Sequence, residues 1–233
     1  MTIRAGTSGF SYKEWKGEFY PADLPASQML AFYAGRLPAV EINNTFYRMP
    51  KPEVLESWAE RTPERFRFVL KASRRITHFK RLDAVDDELR YFLSTAGTLG
   101  PRLGAVLFQL PPNFKLDLGR LSSFLDLLGD PGRTAFEFRH PSWNADEVRQ
   151  LLSERGAALV TADTDEEAGR IVRTGSLGYL RLRRESYDAD ALADWATRVR
   201  DAGWSEAYVF FKHEDDAAGP RMAAEFMELL AAG

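Results

Sequence analysis

Val40-Glu41-Ile42-Asn43 alternates apolar and polar residues one by one, and Phe136-Glu137-Phe138-Arg139 does the same far downstream. Successive side chains of a strand point to opposite faces, so each stretch reads as a strand with one apolar and one charged face. Leu180-Arg181-Leu182-Arg183 repeats the pattern, while Phe68-Val69-Leu70-Lys71 and Phe211-Lys212 end on a charge. In every case the charge falls in the last positions of the run, where the chain leaves for the following loop. An apolar face under helices and a polar face turned inward, charged only at the strand ends, describe the C-terminal mouth of a parallel barrel.

Outward from these stretches, apolar runs alternate with helical patterns. Strands are expected at 3–9, 39–44, 66–72, 103–110, 134–139, 157–162, 178–183 and 207–212. Helices are expected at 27–37, 52–60, 85–98, 118–128, 145–154, 189–202 and 220–230, with Asn144 as an N-cap and Gly203 closing the sixth. This cadence means βαβ units and a parallel sheet. Eight units predict a (β/α)8 TIM-type barrel as one domain, 1–233. The joint between strands six and seven leaves room for only a short helix or none.

The bulk properties agree. A chain of 233 residues lies near the roughly 250 typical of this barrel and is long enough to bury a core without staples. It has no cysteine, which removes disulfides, thiolate metal sites and cysteine nucleophiles together. No run approaches the roughly 18 apolar residues of a membrane span, and no secretory pattern opens the sequence, so the expected compartment is the cytoplasm. The net charge of -3 argues against a whole-surface nucleic-acid binder but leaves room for a local basic patch.

The strand ends supply a candidate site: Glu41, Asn43, Lys71, Gln109, Glu137, Arg139, Asp163, Arg181 and Lys212. An unpaired buried ion costs several kcal/mol and a paired one roughly breaks even, so such a set is a poor way to stabilise a barrel. The plainer alternative is a self-neutralising network. Cations outnumber carboxylates in the set, which suits a phosphate or carboxylate ligand.

Loops add to it. The first carries Phe10, Tyr12, Trp15, Phe19 and Tyr20, either a stacking wall for a base or sugar or a plug that braces the loop. After strand three, Arg74, Arg75, Lys80 and Arg81 with Phe79 interleaved suit phosphate contacts, a solvated basic face being the plainer reading. Of the histidines, His140 follows Arg139, His213 follows Lys212 and His78 lies in the basic loop. No HxH or HxxxH spacing supports a metal, and Gly6-Thr7-Ser8-Gly9 matches neither glycine-rich nucleotide motif. No GxSxG elbow is present. The sequence specifies no cofactor and no oligomeric state.

Several segments carry a resemblance. Gly6-Thr7-Ser8-Gly9-Phe10-Ser11-Tyr12, Trp15-Lys16-Gly17, Phe19-Tyr20-Pro21 and Val40-Glu41-Ile42-Asn43-Asn44-Thr45-Phe46-Tyr47-Arg48 are similar to the domain-of-unknown-function 72 family, the YecE-like proteins. Phe108-Gln109-Leu110-Pro111-Pro112, Glu137-Phe138-Arg139-His140-Pro141-Ser142-Trp143 and Tyr179-Leu180-Arg181-Leu182 extend it across nearly the whole chain. The resemblance implies an eightfold barrel similar to those of endonuclease IV-like and xylose isomerase-like enzymes, an analogy towards phosphoester or sugar chemistry. The chain departs from the pattern at Arg183-Arg184, where relatives have histidine and glycine, and at Lys212-His213, where they have paired asparagines.

Two functions are therefore expected to compete. One is an enzyme on a phosphorylated or nucleic-acid-derived substrate, with Glu41 or Glu137 as general base. Asn43, Lys71, Gln109, Arg139, His140, Asp163, Arg181, Lys212, Tyr12 and Trp15 would bind that substrate. The other is a non-catalytic nucleic-acid module built on the basic loop.

Overall fold

The computed structural model describes residues 1–212 and 216–232. Nine parallel strands form one sheet: β1 (Thr2–Ser8), β2 (Ala39–Ile42), β3 (Arg67–Lys71), β4 (Leu103–Gln109), β5 (Thr134–Glu137), β6 (Ala158–Leu159), β7 (Thr161–Asp163), β8 (Leu177–Leu182) and β9 (Glu206–Phe211). The order is β6-β5-β4-β3-β2-β1-β9-β8-β7, so its margins are two neighbours in sequence. β6 pairs with β5 and β7 pairs with β8. The expected sixth strand, 157–162, is thus interrupted at Val160, whose N–H still donates to Phe136 O at 2.9 Å. The result is a nearly closed eightfold barrel with a broken sixth stave.

Seven α-helices are described: α1 (Met29–Ala34), α2 (Pro52–Glu60), α3 (Asp86–Ala96), α4 (Leu118–Leu128), α5 (Asp146–Arg155), α6 (Ala189–Asp201) and α7 (Ala218–Ala232). α1 is shorter than expected because its first turn, Ala26–Gln28, is 3-10. α5 starts one residue late. Its N-cap is Ala145, and the Asn144 amide oxygen accepts from Arg149 instead. Gly203 follows α6 with φ of 73°, where a side chain would be strained. Among the described residues no helix is long and apolar enough to cross a membrane.

No helix forms between β7 and β8. The chain packs back on the broken strand instead. Thr174 Oγ1 accepts from Leu159 N at 2.9 Å and donates to Ala157 O at 2.7 Å, and Arg198 reaches Gly169 O at 2.8 Å.

The alternation of the strands divides the core into two. Ala39, Val69, Ala105, Leu107, Ala135, Ala158, Leu177, Tyr179, Tyr208 and Phe210 pack inside the barrel. Val40, Ile42, Phe68, Leu70, Phe108, Phe136, Leu180 and Leu182 pack outward with the helices. The interior is therefore filled, with small residues on β2, β4 and β5 making room for the rings of β8 and β9. At its lower end Arg4 pairs with Glu206, which also accepts from Tyr208 Oη at 2.8 Å.

Candidate functional site

The inward parity that places Ala39, Ala135 and Tyr179 in the barrel core carries on to Glu41, Glu137 and Arg181 at the upper ends of the same strands. These three are buried and form one ion triplet. Arg181 Nη2 donates to Glu41 Oε1 at 2.9 Å, and Nη1 donates to Glu137 Oε2 at 2.7 Å. Glu41 is saturated by further donors: Ser8 Oγ at 2.8 Å, Asn43 Nδ2 at 3.0 Å and the Tyr179 hydroxyl at 2.7 Å. Arg139 closes the far side, its Nε 2.6 Å from Glu137 Oε1.

Burial, the largest single influence, pushes both carboxyls up, but Arg181 and the other donors around each carboxylate together outweigh it. Glu41 ends below the usual carboxylate range, helped by its three neutral donors. Glu137, which also feels Arg139, is held at about 2. Arg181 behaves oppositely to what its burial alone would dictate: Glu41 and Glu137 hold its pKa above the ordinary guanidinium value. Both carboxylates are thus ionised, hydrogen-bonded and weakly basic. That arrangement suits a rigid charged floor, whereas a general base is best matched to the working pH.

Around this floor stand cations. Lys71 Nζ donates to Gln109 Oε1 at 2.6 Å and lies 4.2 Å over the Phe46 ring. Burial, then Arg181, lowers its pKa to about 8 against the opposing pull of Glu41 and Glu137. Arg183, on the same face of the chain as Tyr179 and Arg181, is also lowered, by burial and then by Arg181. Arg139 is half-exposed at the rim. His78 packs edge-on against Phe46 at 4.8 Å; burial, Lys71 and Arg139 lower its pKa. Asn43 Oδ1 and Arg181 Nε are buried without a hydrogen-bond partner among the described residues.

The structure therefore brings together Glu41, Asn43, Lys71, Gln109, Glu137, Arg139 and Arg181. Tyr12 sits at the edge, half-buried, its hydroxyl donating to Ser8 O at 2.7 Å. Burial, then the Glu41 charge, raises that hydroxyl to about 12. Lys212 follows β9 on the inward parity and is half-buried, its backbone N–H bonded to Leu182 O at 3.0 Å.

Three expected residues are placed elsewhere. Asp163 has the outward parity, because Ala158 and Val160 take the inward one. It is buried under the loop after β7, accepting from Gly169 N at 2.7 Å, Tyr187 Oη at 2.7 Å and Arg184 Nη2 at 2.9 Å. Trp15 is fully buried against Tyr12, Phe19 and Tyr20, so it braces its loop and presents no open ring face. His140 Nδ1 accepts from Ser142 N at 3.1 Å and caps the turn Pro141–Trp143. His213 lies outside the described residues. Among the described residues no group of three or more metal-ligating side chains converges.

The basic loop is a π-helical turn, Arg75–Phe79. Arg75 and Lys80 reach Glu88 of α3 at 3.3 and 2.9 Å, so part of its charge is neutralised locally. Arg74 lies over the exposed rings of Tyr47 and Phe79, 5.5 and 5.2 Å from their centroids.

Sequence reasoning missed Ser8, Tyr179, Arg183, Phe46 and His78. Parity points to the first three: Tyr179 and Arg183 lie two residues either side of Arg181, and Ser8 ends β1. Phe46 and His78 lie in loops, where no periodicity announces direction.

The family described as "Protein of unknown function DUF72" matches residues 4–233. The chain is 38% identical over 138 residues to the UPF0759 protein YecE of Escherichia coli (strain K12), covering 57% of this chain and 51% of that protein. It is 32% identical over 133 residues to the UPF0759 protein YunF of Bacillus subtilis (strain 168), covering 53% and 47%. These matches span about half the length of each curated relative. The fold is similar to the crystal structure of a DUF72 family protein from Thermotoga maritima, with TM-score 0.86, 27% identity and coverage of 99% of this chain and 100% of that one. A DUF72 family protein from Enterococcus faecalis v583 shares the fold at TM-score 0.78 and 21% identity, covering 99% and 96%. With the family match running through every strand that builds the charged mouth, the chain belongs to the DUF72 family.

Proposed function

We propose that the chain is an enzyme acting at the barrel mouth on a phosphorylated or nucleic-acid-derived small molecule. The observation that carries this is the charge balance. Glu41 and Glu137 share Arg181, and Arg139, Arg183 and Lys71 crowd the same pair, so among the described residues the mouth has more cation than its carboxylates neutralise. Like charges held together at a partly buried site oppose one another, and an anion entering between them relieves that. Planar guanidinium groups suit phosphate oxygens, and Asn43 Oδ1 is an acceptor for a ligand hydroxyl, as a sugar supplies.

Calorimetry with ribose 5-phosphate against ribose, and with a nucleoside monophosphate against its nucleoside, tests this. The phosphorylated member should bind and the neutral one should not. Binding should fall with salt and drop at least about tenfold in the Arg139→Ala/Arg183→Ala double variant, as loss of charge-assisted bonds implies. Equal binding of both members of a pair would remove the reading.

One observation favours a second reading, a single-strand nucleic-acid surface. Arg74 between the exposed Tyr47 and Phe79 resembles a stacking platform. That surface predicts oligonucleotide binding lost in Arg74→Ala but kept in the double variant.

A further inference from the structure

The lysine at the end of β3 is placed unlike Arg139 and Arg181. Its Nζ has no carboxylate ion-pair partner among the described residues; it meets an amide oxygen, Gln109 Oε1 at 2.6 Å, and the face of Phe46. The charged groups bearing on it are Arg181 of β8, Glu41 of β2, Glu137 of β5 and Arg139 just after β5, while His78 packs on the same Phe46 ring. Both neighbouring carboxylates are already occupied by guanidinium groups. The side chain is half-buried, so the amine is desolvated yet reachable from the mouth.

We propose that Lys71 is the nucleophile of this site and forms an imine with the carbonyl of an aldehyde or ketone that also carries a phosphate. The inference rests on the anionic-substrate reading above and deepens it, naming the substrate as a phosphorylated carbonyl compound. In the step, the amine lone pair adds to the carbonyl carbon and the C=O electron pair moves to oxygen. The two amine hydrogens then leave with that oxygen as water, and the C=N bond forms. Nothing is oxidised or reduced. Desolvation beside other cations raises the share of free, nucleophilic amine near neutral pH. The lowering of Lys71 to about 8 agrees with that placement. Gln109 fixes the direction of Nζ without donating a countercharge, and Arg139 and Arg183 are left for the phosphate.

The experiment traps the bond. The protein is incubated with glyceraldehyde 3-phosphate and, in parallel, with glyceraldehyde; sodium borohydride is added, and peptide mass spectrometry locates the reduced adduct. The expected result is labelling of Lys71 by the phosphorylated aldehyde at least about tenfold above any other lysine, and its absence in Lys71→Arg. Competitive acetylation, read by the same peptides, should show Lys71 reactivity rising with a midpoint near pH 8, against 10.5 for an ordinary lysine. Adducts scattered over surface lysines with none on Lys71 overturn the proposal, even where calorimetry shows that the phosphorylated probe binds. Equal labelling of Lys71 by both aldehydes instead keeps the nucleophile and overturns the phosphate part.

Discussion

Arg181 shows how a single residue can organise the mouth. The two terminal nitrogens of its guanidinium each reach a carboxylate from a different strand, Glu41 of β2 and Glu137 of β5, and each carboxylate then recruits its own neighbours. Removing one member leaves a buried charge without its counterion, which costs about 3–5 kcal/mol. Glu137→Gln should therefore lower stability to urea by about that amount at pH 7. The sign with pH follows from the depressed carboxyl. The unfolded chain takes up its proton near 4.5 and the folded one near 2, so the contribution is present above 4.5 and is lost as pH falls through about 2. Parent and variant should converge over that window. Lys71 works the other way. Its amine loses its proton near 8 when folded but near 10.5 when unfolded, so the unfolded state binds more protons between these values and stability rises with pH. The parent should gain melting temperature relative to Lys71→Met from pH 8 to 10.5; a flat difference would mean the amine is solvated.

At the scale of elements, alternation was the legible signal and its limits are instructive. Glu41, Glu137 and Arg181 were readable because each stands two places from an inward core residue on an unbroken strand: Ala39, Ala135 and Tyr179. Asp163 misled because it ends its strand as they do, yet it lies an odd number of places from Ala158 and Val160 and so faces the helices. Counting parity through the break would have separated it. The aromatic first loop offered no such handle. Nothing in its spacing distinguishes a ring that lines a mouth from one buried at its base, and Trp15 is the latter. The missing helix after strand six was legible as a shortage of residues, but the network that replaces it was not. Asp163 is its anchor, holding the loop through the Gly169 amide and the segment after β8 through Arg184 and Tyr187. Asp163→Ala should cost about 2–4 kcal/mol by leaving these donors unsatisfied and speed hydrogen exchange at Gly169, while phosphate binding at the mouth stays unchanged. A loss of binding as large as that in the Arg139/Arg183 variant would place Asp163 back in the site.

Over the whole molecule, the barrel carries charge at both ends of an apolar middle, and the two ends have different work. The lower end is a closed cluster of Arg4, Glu206 and Tyr208, sealed beneath the rings of Tyr208, Phe210 and Tyr179. Among the described residues the upper end holds more cationic groups than carboxylates around Arg181, and two of its polar atoms have no hydrogen-bond partner. In barrels of this kind the lower face serves stability and the upper one function, so a change confined to the bottom should separate the two. Gly104 of β4 provides it. A Cβ there would lie 2.5 Å from Tyr208 Oη and 2.8 Å from Cζ, closer than atoms can approach, so the tyrosine must shift and its bond to Glu206 with it. Gly104→Ala should therefore unfold at lower urea, by about 1–3 kcal/mol, as overpacked interiors do. Ribose 5-phosphate affinity and Lys71 trapping, measured well below the melting temperature, should remain within about twofold of the parent, since sites without shared partners are close to additive. If both fall together with stability, the layers of the barrel are coupled through Tyr179 and Phe210, and the charged mouth is an extension of the core rather than a site seated upon it.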